Sequence, residues 1–285
     1  MNKLKKRDSW FLVEYTVNPF EGCSCNCQYC YVRGSKYGEN MDEGLTVKLN
    51  AAELLDKQLS LRARKNEYGF VALGSATDAY IHQESQWMIS RKLLEVLSKH
   101  QFPVFISTKT SLIKRDIDLL KEIDRNAIIP SAIKEKINRG LILSVSLSTL
   151  YEKISNTLEP GAIPPNERLE LVTRLKEEGF LVGVNAIPLL PYISDTDEEL
   201  EKIIEASKKA GADYILVGGL TLFGNGQADS KTLYLKFLER QYPELIPKYK
   251  ELYRYGYSTQ GDYQAKLKER TDRLCSKYKI RGSIV

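Results

Sequence analysis

The sequence predicts an α/β protein, a partial (βα)6 TIM-like barrel with parallel strands plus a C-terminal helical extension, and three observations carry this. Six short apolar runs recur through the first 220 or so residues, amphipathic segments separate them, and a basic, tyrosine-rich stretch closes the chain. Short apolar runs alternating with segments of helical period read as βαβ units, whose strands lie parallel.

The first strand is FLVEYTVN at 11–18, rich in β-branched and aromatic residues and closed by Pro19; it runs into the cysteine loop CSCNCQYC at 23–30. A helix is expected from Asn50, the N-cap, with Glu53 three residues on and Leu49 placed to staple against Leu54. The remaining strands are GFVALGS (69–75), FPVFIST (102–108), LILSVSL (141–147), FLVGVNAI (180–187) and DYILVGG (213–219), with helices around 85–99, 112–123, 165–178 and 196–209. Pro165 opens one helix and Gly179 ends it, while Thr196 and Glu199 form a capping box before the next. The stretch NAIIPSAIKEKINR, 126–139, is an insertion to which no function is assigned. The chain divides into a basic segment at 1–10, a barrel at 11–225 with its cysteine loop at 19–31, and a basic, tyrosine-rich helical extension at 226–285. In such a barrel the ligand site lies at the C-terminal strand ends.

Composition is that of an ordinary globular protein, and no apolar run approaches the ~20 residues that cross a bilayer. A membrane partner is not expected, and the basic start lacks an apolar core behind it, so the chain is read as cytoplasmic. The net charge of +5 is uneven. Lys3, Lys5, Lys6 and Arg7 against Asp8 make the start basic, and residues 241–285 hold ten Lys or Arg against five Asp or Glu.

Four of the five cysteines lie within eight residues. In a reducing compartment such crowding points to metal or catalysis rather than disulfides. Structural zinc wants four ligands, and only Cys27 and Cys30 have pair spacing, with His82, His100 and Cys275 as distant partners. A redox pair at Cys27 and Cys30 leaves Cys23 and Cys25 idle. The third reading uses Cys23, Cys27 and Cys30 for three corners of a [4Fe-4S] cluster, leaving one iron without a protein ligand.

That C-x3-C-x2-C loop, with Tyr29 before its last cysteine and a βα alternation behind it, resembles the radical S-adenosylmethionine (SAM) superfamily. NPFEGC (18–23), VKLNA (47–51), GSATDAY with Glu84 following, STKTSLIKRDIDLL (107–120), SVSLST, LEP (158–160), ERL (167–169) and AIPLLP (186–191) resemble its "DNA repair photolyase" group, relatives of spore photoproduct lyase. The resemblance implies that the open iron chelates SAM, and that the reduced cluster cleaves it to a 5′-deoxyadenosyl radical that abstracts hydrogen from substrate. It implies an electron donor of ferredoxin or flavodoxin type.

On the same resemblance, Ala76, Thr77 and Asp78 hold the methionine amino group, which needs acceptors. Lys109 meets the carboxylate, with Ser146 as a hydroxyl donor and Arg168 a second cation. Asn185 bonds the ribose, and the backbone near Tyr29 and Tyr31 flanks adenine. Ser75, Tyr80 and Glu84 are candidate substrate contacts. Structural readings stand beside these: a turn capping the next helix for TDAY, a solvated loop lysine for Lys109, a surface salt bridge for Arg168 and a satisfied core amide for Asn185. The chain departs from the group's pattern at Ala79 and His82, where prolines are usual. It departs also at Ser75, where spore photoproduct lyases carry a hydrogen-donor cysteine; a hydroxyl O–H is too strong a bond to replace that thiol.

In the tail, Tyr249, Tyr253, Tyr255, Tyr257, Tyr263 and Tyr278 interleave with cations, a composition suited to a nucleic-acid substrate, although a helical extension packing its tyrosines inward has the same pattern. Radical chemistry on a peptide or small metabolite is the alternative within the enzyme class, and an iron–sulfur protein without radical catalysis is the alternative outside it.

Overall fold

The computed structural model describes residues 1–38 and 44–285. In chain order its elements are β1 (Asn2–Lys3), β2 (Val13–Val17), β3 (Phe20–Glu21), β4 (Thr46–Val47), α1 (Ala51–Arg64), β5 (Phe70–Leu73), α2 (Glu84–Trp87), α3 (Ile89–Lys99), β6 (Val104–Thr108), α4 (Ile117–Asn126) and α5 (Ser131–Lys134). There follow β7 (Leu141–Ser146), α6 (Glu152–Leu158), α7 (Pro165–Glu177), β8 (Val182–Ala186), α8 (Asp197–Lys209), β9 (Tyr214–Val217), α9 (Ser230–Gln241), α10 (Ile246–Leu252) and α11 (Gly261–Tyr278).

All six predicted strands form, and they pair in parallel in the order β2-β5-β6-β7-β8-β9. A seventh strand, β1, lies antiparallel on the outer edge of β2, inside the segment that the sequence reading left as a basic arm. Two residues are too few to show a period, so the pairing is set by β2, whose Glu14 carbonyl accepts from the Leu4 N–H at 2.8 Å.

The strands read as apolar runs because both faces are covered. Val71, Leu73, Val104, Ile106, Leu143, Val145, Val182 and Val184 pack outward in the large core with the helices. The alternate residues Phe70, Phe105, Ile142 and Tyr214 face inward in a second cluster, which Ile133 and Ile137 of the 126–139 insertion complete. That insertion closes the end where the strands begin. Toward the strands' C-terminal ends the inward residues turn polar, at Ser107, Ser146 and Asn185.

Punctuation is followed in part. Pro165 stands at the first position of α7, and the Thr196 hydroxyl accepts from the Glu199 N–H at 3.3 Å. The Glu199 carboxylate takes the Tyr151 hydroxyl and Lys202 instead of completing the box. Asn50 makes no side-chain cap, and Leu49 and Leu54 stay 64% and 48% exposed, too wet for a staple to gain much burial. The helix expected at 85–99 breaks at Met88, with φ of 53°, because the buried Glu84 carboxylate caps α3 by accepting from the Ser90 N–H at 2.9 Å.

The C-terminal extension is helical, and most of what looked like a nucleic-acid surface is used internally. Tyr249 and Tyr253 are buried with Tyr234 and Phe237, the Tyr263 hydroxyl donates to Asp195 and the Tyr278 hydroxyl to Glu201. α11 packs on α8 with Arg270 paired to Asp197 at 3.0 Å and Lys277 to Glu201. The acidic face of α8 thus takes up three of the tail's cations, Arg270, Arg273 and Lys277. Tyr255 and Tyr257 remain exposed.

Candidate functional site

The polar strand ends open on a cavity of about 470 Å³ whose wall includes all four cysteines of the loop. Asn18 starts that loop: its side-chain oxygen accepts from the Ala76 N–H at 2.8 Å and the Ser75 hydroxyl at 3.3 Å, tying the end of β2 to the turn after β5. Gly74, at φ of 85°, lets that turn fold; a Cβ there would lie 2.8 Å from the Ala79 nitrogen.

Behind the loop stands a buried polar network. The Gln28 N–H donates to the Leu158 carbonyl at 2.8 Å and the Gly161 N–H to the Cys25 carbonyl at 3.1 Å. A Cβ on Gly161 would come within 1.9 Å of the Ser24 carbonyl oxygen, so only glycine allows this approach. The Tyr29 hydroxyl contacts Ser148 at 2.8 Å and donates to the Glu159 carboxylate. Glu159 pairs with Arg168 at 2.6 Å.

The expected site residues separate into three groups. Ser75, Ala76, Thr77, Tyr31 and Tyr29 line the cavity, as do Lys109, Ser146 and Asn185. Ser107, which sequence reasoning passed over inside STKTS, joins the last two: its hydroxyl contacts that of Ser146 at 3.1 Å and accepts from the Asn185 amide at 3.3 Å. The Asn185 side-chain oxygen is buried and has no partner among the described residues, nor has the Lys109 ammonium a hydrogen-bond or ion-pair partner. Burial works against the Lys109 charge, but Cys27 and Glu159 outweigh it and hold the group above the ordinary lysine range.

Asp78 borders the cavity but is largely occupied. Its carboxylate accepts from the Thr108 hydroxyl at 2.9 Å, the Lys109 N–H at 2.7 Å and the Tyr80 N–H at 2.8 Å. Of about four acceptor sites, the one that remains faces the Cys25 thiol at 3.9 Å.

Three expectations are corrected. Arg168 does not reach the cavity: besides Glu159 it donates to the Ile163 carbonyl at 2.7 Å, the Ser146 carbonyl at 3.2 Å and the Ser155 hydroxyl at 3.1 Å, so its guanidinium is spent inside the protein. Glu84 is wholly buried as the cap of α3 and the partner of Arg115 at 2.8 Å. Tyr80 is wholly buried too and forms no part of the wall. Besides Ser107, sequence reasoning missed Glu159, although it sits within the quoted LEP.

The thiols differ in environment. Contact with Cys25 pulls Cys23 down to about 7, against burial and Asp78. The same contact, with burial, drives Cys25 far up, and burial raises Cys27 and Cys30. A coordinating cation reverses that cost, since a thiol bound to metal is deprotonated outright. Among the described residues no three His, Cys, Asp or Glu side chains converge as for a single ion. A cubane asks for something else, because each of its cysteines takes a different iron. Three thiols on one wall, an unpartnered lysine and an orphaned amide oxygen are a donor set that fits such a cluster with SAM.

A parallel barrel carrying this loop at its strand ends defines a class, and the chain belongs to the radical SAM superfamily, whose model matches residues 17–206. It is an enzyme of that class, and membership implies SAM and an iron–sulfur cluster. Over 274 residues the chain is 31% identical to an uncharacterized protein of Mycobacterium tuberculosis, covering 94% of this chain and 75% of the relative. It is 24% identical over 202 residues to the radical SAM Nalpha-GlyT isomerase of Pseudomonas phage M6, covering 70% of this chain and 38% of that protein. Among solved structures, spore photoproduct lyase superposes with a TM-score of 0.66 at 15% identity, covering 97% of this chain and 78% of that one. The same lyase with bound SAM and dinucleoside spore photoproduct gives a TM-score of 0.63 at 16% identity, covering 96% and 76%. At such identity the likeness is one of fold.

Proposed function

We propose that this radical SAM enzyme carries its [4Fe-4S] cluster on Cys23, Cys27 and Cys30 and abstracts hydrogen from a nucleic acid or nucleotide. The observation that carries the cofactor reading is the single cavity shared by those thiols, the unpartnered Lys109 and the orphaned Asn185 oxygen. When bound, the cluster supplies the electron that cleaves SAM reductively to methionine and a 5′-deoxyadenosyl radical.

The chain's own residues position and seclude that chemistry. Lys109 faces the SAM carboxylate, Asn185 accepts from a ribose hydroxyl, and the Ser107–Ser146 pair offers further hydroxyls. The turn Ala76–Thr77–Asp78 offers acceptors to the amino group. The Tyr29–Glu159–Arg168 network fixes the loop from behind, and Phe105 and Ile187 give the cavity apolar wall that keeps water from a radical. Cys25 lies outside the ligand set. The reductant is a ferredoxin- or flavodoxin-type protein.

The nucleic-acid substrate class is supported by the fold shared with a lyase solved with a dinucleoside ligand and by basic residues gathered at the N-terminus. The experiment is anaerobic reconstitution with iron and sulfide, reduction with dithionite, and assay of 5′-deoxyadenosine from SAM. Its absence from reduced, cluster-replete protein would overturn the radical reading. Deuterium transfer from labelled oligonucleotide into 5′-deoxyadenosine tests the substrate class, and transfer from a labelled peptide instead would replace it.

A further inference from the structure

Two stretches with no part in the cofactor site meet at its mouth. The loop after β9 places Gly219 and Thr221 in the cavity wall and then continues through Phe223 to a turn with the sequence GNGQ at 224–227. The tail returns beside it: Thr221 pairs with Ser258 in an antiparallel bridge, and the Leu222 N–H donates to the Tyr257 carbonyl at 2.8 Å. This sets the Tyr257 ring on Phe223, centroids 4.4 Å and planes 23° apart.

Tyr257 stays 57% exposed in this stack, and its hydroxyl has no partner among the described residues. The tail's buried tyrosines serve packing; this one leaves an aromatic face in water. On its other flank the 223–230 loop abuts the chain just past the last cluster cysteine, where the Ser230 hydroxyl donates to the Arg33 carbonyl at 3.3 Å and Arg33 to the Ala228 carbonyl at 3.3 Å. Tyr31 in that stretch lines the cavity and is itself 47% exposed. The N-terminal arm lines the cavity at its other end, with Leu4, Asp8 and Phe11 beside the start of β2, where the Leu4 N–H donates to the Glu14 carbonyl at 2.8 Å.

An exposed aromatic stack at a cavity mouth is suited to a run of bases, each of which has a π-face to lay on it. A peptide offers no series of π-faces. We infer that Phe223 and Tyr257 form a stacking platform for the nucleobase next to the one that enters the cavity. This rests on the nucleic-acid reading of the site. It assigns the GNGQ turn the task of carrying Phe223 to the rim.

The test is fluorescence anisotropy of the full-length, cluster-reconstituted protein with labelled single-stranded 10-mers of DNA and RNA at low and moderate salt. Tyr257→Ala is expected to weaken binding about 10-fold, Tyr257→Trp to restore it, and Tyr151→Ala, an exposed tyrosine bonded to Glu199 away from the cavity, to leave it unchanged. Circular dichroism melts verify that all three fold. Equal affinity of Tyr257→Ala and wild type overturns the platform while the nucleic-acid reading stands. Failure of the wild type to bind any oligonucleotide overturns both, and equal losses in the Tyr151 and Tyr257 variants overturn the platform's specificity.

Discussion

The Glu159 carboxylate and the Arg168 guanidinium lie 2.6 Å apart with each side chain only 1% exposed, directly behind the cysteine loop. Two opposite charges are thus removed from water at the point where Tyr29 and Leu158 hold the loop in place. Such a pair contributes little net stability against an apolar substitute but makes the loss of one partner costly.

Glu159→Gln is therefore expected to destabilise the protein by about 3 kcal/mol and to lower iron bound per chain, because the buried Arg168 guanidinium behind the loop loses its counter-charge. Thermal melts and iron analysis check both. The double variant Glu159→Leu, Arg168→Met is expected to recover much of the stability while iron stays low. A single-variant loss below about 0.5 kcal/mol would show the network to be incidental.

The same pair gives a pH dependence. Burial raises the Glu159 carboxyl, but Arg168 and Lys109 outweigh it and leave it below the ordinary glutamate value of 4.5. A depressed carboxyl contributes stability that is fully present above the unfolded value and is lost as pH falls through the folded one. The stability gap between wild type and Glu159→Gln is expected to be constant above pH 5 and to shrink below 4.5. A gap that widens on acidification would contradict the sign.

Cys25 and its neighbours make a clean contrast. Replacing Cys23, Cys27 or Cys30 by Ser is expected to abolish cluster absorbance and SAM cleavage. Cys25→Ser is expected to retain both, since Cys25 is 2% exposed and packed toward Asp78. Loss of the cluster in Cys25→Ser would mean that the ligand register is wrong.

Lys109→Met keeps the apolar stem and removes the charge. A charge-assisted hydrogen bond is worth about 1.5–3 kcal/mol, so SAM affinity should fall roughly 10- to 100-fold by equilibrium dialysis with iron content unchanged. Unchanged affinity would place the SAM carboxylate elsewhere.

Gly161→Ala puts a methyl group 1.9 Å from the Ser24 carbonyl oxygen. Overpacking of this kind costs about 1–3 kcal/mol, and the expected result is a lower melting temperature together with poorer cluster incorporation. Normal incorporation would show that the loop shifts freely.

Much of this was legible beforehand where the signal is local. The strands around Val71, Ile106, Val145 and Val184 were visible because burial on both faces demands unbroken apolar runs, and the cysteine spacing is a property of eight consecutive residues. Ser75, Lys109, Ser146 and Asn185 could be placed near the site because each lies in or just beyond a strand's C-terminal end. Capping was read less well: Asn50 and Glu53 have the right letters, but solvent competes for an exposed helix start.

What the sequence by itself determined is the parallel α/β frame, the loop that holds Cys23, Cys27 and Cys30, and the end of the barrel on which chemistry takes place, since all three follow from period and spacing along the chain. Tertiary structure alone decided that Arg168 serves Glu159 rather than the cavity, that Glu84 caps α3, that Arg270, Arg273 and Lys277 of the tail meet the carboxylates of α8, and that Tyr257 returns to the mouth beside Phe223. Each depends on residues far apart in sequence meeting across the fold, Tyr29 and Glu159 being 130 positions apart. A charged or aromatic side chain does not carry in its local pattern which distant partner will take it, or whether it will be left for a ligand.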